Sequence, residues 1–345
     1  MASATSTTSK STTASKAHSR KKSKKTRTDS ITLQASDVKL LKSSKRLRHG
    51  LSMCNYEDLP DWQQDNECIV SGYIQATNSF TKCLHSLGVF HNESVNIYTH
   101  LLPSVTYFVM LIIFTDLILE QQILKYIKAN PAQLIMDSID YIMINFYLVG
   151  AFLCLFCSSF FHTFKQHSKK YSDMCSKADY MGIIILITCS IISLLYYGFH
   201  DHLFIFKIFT IITSVMGSVC SVFVLHDKFN SKNFKVLRAS FFVLFGFSGM
   251  IPILFGIFKF GIQESLRRVQ LFYVILEAFF YIGGAIIYGF RIPECFFPGR
   301  FDFLGHSHQI FHVMVVMGSL CHFRAVIGSF VLAHAGIHNH RPFIF

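Results

Sequence analysis

Charged side chains are scarce in this sequence, at 15% of its 345 residues. The positive charge is also unevenly placed, because thirteen of the 32 Lys and Arg lie in the first fifty residues and the rest of the chain is close to neutral. A nucleic-acid-binding domain carries its basic residues on a folded face. The distribution seen here excludes that class, so we predict no nucleic-acid partner.

Two further absences concern the ends of the chain. No Lys follows Lys259, so the last apolar stretch lacks the amine that a retinal Schiff base needs, which excludes a rhodopsin-like pigment. The N-terminal residues lack the ordered charged and apolar regions of a secretory signal. The first fifty residues also contain no Phe, Trp or Tyr and are rich in Ser, Thr and Lys. We therefore predict a disordered cytoplasmic tail over residues 1–55.

Apolar side chains are abundant instead: 51% of the residues are hydrophobic, and 37 are Phe. Seven apolar stretches are long enough to cross the roughly 30 Å hydrocarbon layer of a membrane. The sequence predicts an all-α fold, a seven-transmembrane helix bundle within residues 56–345. The predicted spans are 97–119, 141–164, 180–199, 203–225, 236–258, 271–290 and 307–332.

The loop charges predict an orientation for this bundle. If the basic tail lies inside, the inner loops carry more Lys and Arg than the outer loops do, as the positive-inside rule requires. We predict a cytoplasmic N-terminus and an extracytoplasmic C-terminus. The protein is then a multi-pass protein of the plasma membrane or the endoplasmic reticulum.

Three histidines reach the same membrane face on this topology. His162 ends the second span, while His308 and His312 begin the seventh, four residues apart and therefore on one helix face. Three imidazoles with an open fourth position are typical of catalytic zinc. An isolated pair of His usually has a capping or interfacial role, but ionisable groups at membrane depth favour function. We predict a Zn²⁺ site.

Two oxygen-bearing residues are predicted beside this site. Asp179 begins the third span on the same face, where it could bind the water of the open position. Ser158 lies one turn before His162, where its hydroxyl could support a ligand or polarise a substrate carbonyl.

Two other patterns allow a structural or a functional interpretation. The spacing of Cys154 and Cys157 resembles that of a zinc or redox motif, yet the pair lies in an apolar span, where Cys commonly behaves as a small hydrophobic residue. Glu277 lies inside the sixth span. It could line a cavity or bond to a neighbouring helix, and the sequence favours neither.

Six ordered motifs carry a family resemblance over about residues 59–324. The sequence resembles the progestin and adipoQ receptor family, which includes adiponectin receptors and haemolysin III-related proteins, and its tail resembles that of fungal members linked to zinc and sterol homeostasis. The motifs are Leu59-Pro-Asp-Trp62 with Asp65-Asn66, His91-Asn-Glu93-Ser-Val-Asn96-Ile-Tyr-Thr-His100, Ser158-Ser-Phe-Phe-His162, Asp179, Arg291-Ile-Pro-Glu294-Cys-Phe-Phe-Pro-Gly299 and Ser307-His-Gln-Ile-Phe-His312.

The resemblance implies seven helices with a cytoplasmic N-terminus and a zinc ion held by three His, with an Asp that reaches the metal through water. It also implies an amphipathic segment before the first span, at about residues 59–74. In this sequence the implied zinc-site residues are His162, His308, His312 and Asp179. Structural, bracing roles are implied for Glu93, Asn96 and His100.

Members of this family resemble slow ceramidases, so we predict hydrolysis of the amide of a ceramide-like lipid. Membrane lipids, either ceramide or sterol-related, are the predicted partners, and an extracellular protein ligand is a further candidate. An alternative from another class is a non-catalytic receptor in which zinc is structural. Zinc transport is less favoured, because the ligands cluster at one end of the bundle rather than at its midplane.

Overall fold

The structure is a computed structural model that describes residues 45–115, 117, 138–230 and 234–334. Most of the predicted tail, residues 1–44, lies outside the described residues. The described part is mostly helical and contains seven helices long and apolar enough to span a membrane, which confirms the predicted seven-helix fold. The spanning helices are α1 Ser94–Ile113, α2 Ser138–Phe164, α3 Lys169–Gly198, α4 Leu203–Leu225, α5 Val236–Phe260, α6 Leu271–Phe290 and α7 Ser307–His334.

Helices α3 and α5 differ from the spans predicted for them. Helix α3 begins at Lys169, well before the predicted start at residue 180, because its first turns are polar and apolar content alone does not reveal them. An ion pair from Lys169 Nζ to Asp173 Oδ2, 2.7 Å, supports this extension. The α5 span combines two helices, Lys235–Ser248 and Met250–Phe260, the first of which begins one residue before the span. Pro252 lies in the first turn of the second helix, where a missing N–H costs little.

A small antiparallel sheet precedes the bundle. Its three strands are β1 Lys45–Arg46, β2 Ser52–Cys54 and β3 Tyr73–Ile74, in that spatial order. The short helix Phe80–Ser86 follows. The predicted amphipathic segment at 59–74 contains turns and β3.

The segment before β3 is tied to the loop that leads into α7. The Asp302 carboxylate accepts hydrogen bonds from the backbone N–H groups of Val70, at 2.8 Å, and Ser71, at 2.9 Å. Gly72 has a φ of +84°, and a Cβ there would lie 2.8 Å from the Phe303 ring, so only glycine suits this position. These contacts hold the segment before β3 against the end of the bundle that carries the three histidines.

Helix α2 forms the centre of the bundle. Ile144, Tyr147, Leu148 and Leu155 on this helix are fully buried. The Tyr147 hydroxyl donates to the Ser319 carbonyl of α7. The main core thus joins α1, α2, α3 and α7.

Candidate metal centre

Three histidines meet where the end of α2 approaches the start of α7. Side-chain nitrogens of His162, His308 and His312 lie within 4.8 Å of one another. The rings are 4.7 to 4.9 Å apart between centroids and roughly perpendicular. Nitrogen atoms grouped this closely could hold one metal ion. The structure therefore brings together the three ligands predicted from the sequence.

Helix α7 is positioned by an acidic residue at its start. The Glu294 carboxylate accepts a hydrogen bond from the Ser307 backbone N–H, 2.7 Å, and another from the Ser307 hydroxyl. A negative charge at a helix N-terminus also interacts favourably with the helix dipole. This arrangement satisfies the first turn of α7 and fixes the position of His308 one residue later.

The hydrogen bonds of two rings show which nitrogens are available to a metal. His162 Nδ1 lies 2.7 Å from Glu93 Oε2, and His312 Nδ1 lies 3.0 Å from the Asn96 carbonyl oxygen. A carboxylate and a carbonyl only accept, so both Nδ1 atoms donate and both Nε2 atoms keep a lone pair. Within the described residues, the buried Nε2 of His162 has no hydrogen-bond partner. A metal ion would satisfy it, so these residues fit the predicted zinc.

Glu93 belongs to a buried charge network behind His162. Its second oxygen, Oε1, is 2.8 Å from Lys165 Nζ, and Asn96 donates to Oε2 at 2.6 Å. Burial alone would raise the pKa of Glu93, but the Lys165 ammonium and His162 outweigh it and hold that pKa well below its usual range. Glu93 is therefore an anion that orients the His162 ring. The resemblance implied only a bracing role and missed this contact.

Asp179 and Ser158 lie beside the histidines rather than among them. Asp179 on α3 is outside the group of mutually close metal-type atoms. It is near enough to His162 to interact electrostatically, and it lies close to the Ser158 side chain. A position next to the ligands but outside the group suits a residue that reaches a metal through water.

A large cavity opens from this site into the bundle. Its volume is about 2220 Å³, and its lining is mostly apolar, with Asp179 and His308 among the polar residues. Small-molecule pockets are typically about 300–1,000 Å³. The cavity is large enough for a long-chain lipid. Of the three histidines, His308 is the one that lines this cavity, because His162 and His312 are buried.

Other candidate residues have packing roles or partners that the sequence did not reveal. Cys154 and Cys157 are free thiols, and Cys154 packs against Gly182 at the contact of α2 with α3. The His100 ring stacks on His312 at 3.7 Å. Glu277 both lines the cavity and bonds to His322, so the two alternatives left open for it are both observed. The pairing of Glu277 with His322 is visible only in the folded structure.

Seven spanning helices with a histidine cluster at one end define a multi-pass membrane protein with a candidate metal centre. The profile of the haemolysin-III related family matches residues 89–323, and the chain belongs to this family.

Relatives that are similar in sequence include the ADIPOR-like receptor IZH1 of Eremothecium gossypii, 51% identical over 85% of this chain and 89% of that protein. The ADIPOR-like receptor IZH2 of Saccharomyces cerevisiae is 39% identical over 88% of this chain and 92% of its own length. The adiponectin receptor protein of Drosophila melanogaster is 35% identical over 79% of this chain and 59% of its own. These relatives confirm the resemblance to adiponectin-receptor-like proteins.

Proposed function

We propose that the protein is a zinc-dependent amide hydrolase that cleaves a ceramide-like lipid inside its cavity. The observation that carries this proposal is the meeting of the His162, His308 and His312 nitrogens at the mouth of a mainly apolar cavity. A lipid amide can enter such a cavity with its chains in the apolar part and its carbonyl at the histidines. The reaction would then take place at the end of the cavity that His308 and Asp179 line.

The three histidines would hold the ion, with Glu93 and the Asn96 carbonyl fixing two of the rings. Bound zinc would supply a water activated near neutral pH and would polarise the lipid carbonyl. Holding the rings from behind lowers the reorganisation that binding requires, because each Nε2 already faces the site.

Asp179 would act as the general base and then as the general acid. It takes a proton from the attacking water, whose oxygen bonds to the amide carbon, and it returns the proton to the nitrogen as the C–N bond breaks. The products are a fatty acid and a long-chain amine. The Ser158 side chain lies close to Asp179. We therefore propose that it holds Asp179 in place rather than polarising the carbonyl as well.

The test measures bound zinc and fatty acid released from ceramide by the purified protein. His308→Ala should lose both, because two ligands hold zinc poorly. Asp179→Asn should keep zinc and lose activity by about 10²–10⁴-fold, the usual contribution of a general base. Asp173→Asn is the matched control on the same helix, where Asp173 pairs only with Lys169 in the contacts described, and it should keep both. Full activity in Asp179→Asn contradicts the mechanism.

A second candidate is a receptor in which zinc has a structural role. The printed names of the IZH1 and IZH2 relatives, both ADIPOR-like receptors, favour it. In that case removal of zinc should lower the thermal stability of the protein, while the wild-type protein should release no more fatty acid than Asp179→Asn does. The same pair of proteins thus distinguishes the two functions.

A further inference from the structure

A second polar cluster lies in the cavity wall, away from the three histidines. It contains Glu277 on α6 and His322 on α7, and both residues line the cavity. His322 follows His312 by ten residues, which is about 15 Å along a helix. Most of the cavity between these levels is apolar, so polar groups at this depth are costly unless they have partners.

The contacts of His322 determine the number of protons in this cluster. Its Nε2 is 3.1 Å from the Ser190 carbonyl of α3, and its Nδ1 is 2.8 Å from Glu277 Oε2. A carbonyl only accepts, so Nε2 donates. The contact between Nδ1 and Oε2 then holds one proton, whether the pair is an imidazolium with a carboxylate or an imidazole with a carboxylic acid. In both forms the pair is neutral overall.

Two buried hydroxyls near this pair lack a hydrogen-bond partner among the described residues. Ser190 Oγ and Tyr281 Oη are buried and form no hydrogen bond within the part of the chain that the structure describes. Both residues line the cavity. Tyr281 lies one turn after Glu277, and its ring covers Gly318, where a Cβ would be 2.5 Å from a ring carbon. Gly318 in turn lies one turn before His322. Buried hydroxyls are normally paired, so these two call for a ligand.

We propose that this cluster binds the hydroxyl group of a lipid inside the cavity. A hydroxyl can donate to the Glu277 oxygen that His322 does not use, and it can accept from Tyr281 or Ser190. An ammonium would leave a net positive charge beside a neutral pair, and a carboxylate a net negative one, and both are costly at this depth. A hydroxyl adds no charge. The site requires neither zinc nor hydrolysis.

The experiment uses the full-length protein in lipid nanodiscs and a hexadecanol probe with a photoreactive diazirine in its chain. Unlabelled hexadecanol and hexadecyl methyl ether compete for labelling of the protein. The two compounds have similar apolar chains, but the ether cannot donate. We expect hexadecanol to compete at a roughly 2- to 10-fold lower concentration, the preference expected from one hydrogen bond.

Tyr281→Phe and Ser190→Ala should each reduce this preference. Both remove an oxygen that has no hydrogen-bond partner among the described residues, so the melting temperature of the ligand-free protein should not fall. A purely structural cluster would leave the preference unchanged. Tyr273→Phe is the matched control, because Tyr273 is on the same helix but is not among the residues that line the cavity. It should retain the full preference.

An unchanged preference in both variants would overturn the proposal. A parallel comparison of a sterol with its methyl ether identifies the source of the hydroxyl. A preference in either comparison that is lost in Tyr281→Phe supports the site, and its absence from both contradicts it. Ceramide hydrolysis is not measured here, so either proposal can fail without the other.

Discussion

Six of the seven spanning helices fall into a packed group and a loose group, and α1 lies between the two at 28% buried. The most apolar parts of α2, α3 and α7 are 50, 50 and 44% buried by protein, whereas those of α4, α5 and α6 are 22, 17 and 6% buried. All three histidines and Asp179 belong to the packed group. Helices α5 and α6 of the loose group line part of the cavity, including Glu277, and α3 and α7 of the packed group line another part of it. Residues that need fixed geometry thus lie where helices pack closely, and the loosely packed α5 and α6 complete the wall of the lipid space.

Small residues allow close helix contacts within the packed group. Lipid is as apolar as Leu, so helices in a membrane associate through close packing and small residues. A Cβ on Gly150 would lie 2.6 Å from Cys189, and one on Gly182 would lie 2.9 Å from the Cys154 Cα. In the loose group, a Cβ on Gly246 would meet nothing within 4 Å.

The largest expected effect comes from removing core packing, which tests whether the two groups differ in packing energy. Leu155→Ala should lower the free energy of unfolding by about 2–5 kcal/mol, because the fully buried side chain leaves a cavity that its neighbours cannot fill. Leu254→Ala is the matched change in the loose group, where the side chain is 59% exposed and lipid can replace it. Unfolding in detergent measures both variants. Equal losses would show that the two groups do not differ in packing energy.

A close approach of helices gives the next effect. Gly182→Ala should destabilise the protein by about 1–3 kcal/mol, because the added methyl group meets backbone of α2 and must push α3 away. Gly246→Ala should be neutral or slightly stabilising, since Ala is the better helix former and space is open. Melting temperatures of the two variants provide the measurement. A tolerated Ala at 182 would mean that the α2–α3 contact can relax.

The charge network behind His162 predicts a smaller effect, on metal affinity. Glu93→Gln should weaken zinc binding by about 10–100-fold, the usual loss when the partner of a ligand is changed. Glu67→Gln is the control, because Glu67 pairs with Arg291 at 2.8 Å and is largely exposed. Competition with a chelator gives both affinities. Unchanged affinity in Glu93→Gln would mean that zinc binding does not depend on the charge of the Glu93 carboxylate.

Local patterns predicted the parts of the molecule that depend on nearby residues. The predicted spans 203–225 and 271–290 have the bounds of α4 and α6, because polar residues flank each apolar stretch. The pairing of His308 with His312 follows from their spacing of four on one helix. His162 joined them through the topology alone, since alternate spans return to the same face.

Contacts between distant elements could not be predicted in this way. Glu93 and His162 are 69 residues apart, and Glu277 and His322 are 45 apart. Both pairs depend on how each helix is rotated about its axis, which tertiary packing decides. The early start of α3 was missed for another reason: its charged first turns extend beyond the apolar stretch that marks the span.

An ion pair at the opposite end of the bundle links the two groups and gives the smallest expected effect. Asp201, between α3 and α4, binds Arg268, which precedes α6, through two contacts of 2.7 and 2.9 Å. Burial alone would raise the pKa of Asp201, but the Arg268 guanidinium outweighs it and holds that pKa below its usual range. The lowered pKa means that the carboxylate stabilises the fold above about pH 4 and that this contribution is lost as the pH falls further.

Asp201→Asn should therefore cost no more than about 1 kcal/mol at pH 7, because the Asp201 side chain is 38% exposed and solvent screens the pair. The melting temperatures of wild type and variant should differ at pH 7 and converge as the pH falls below 4. Protonation of Asp201 then removes the same charge that the substitution removes. Asp173→Asn, which breaks a pair within one helix, should cost less because it links no separate elements. A difference for Asp201→Asn that persisted in acid would assign its effect to the shape of the side chain rather than to its charge.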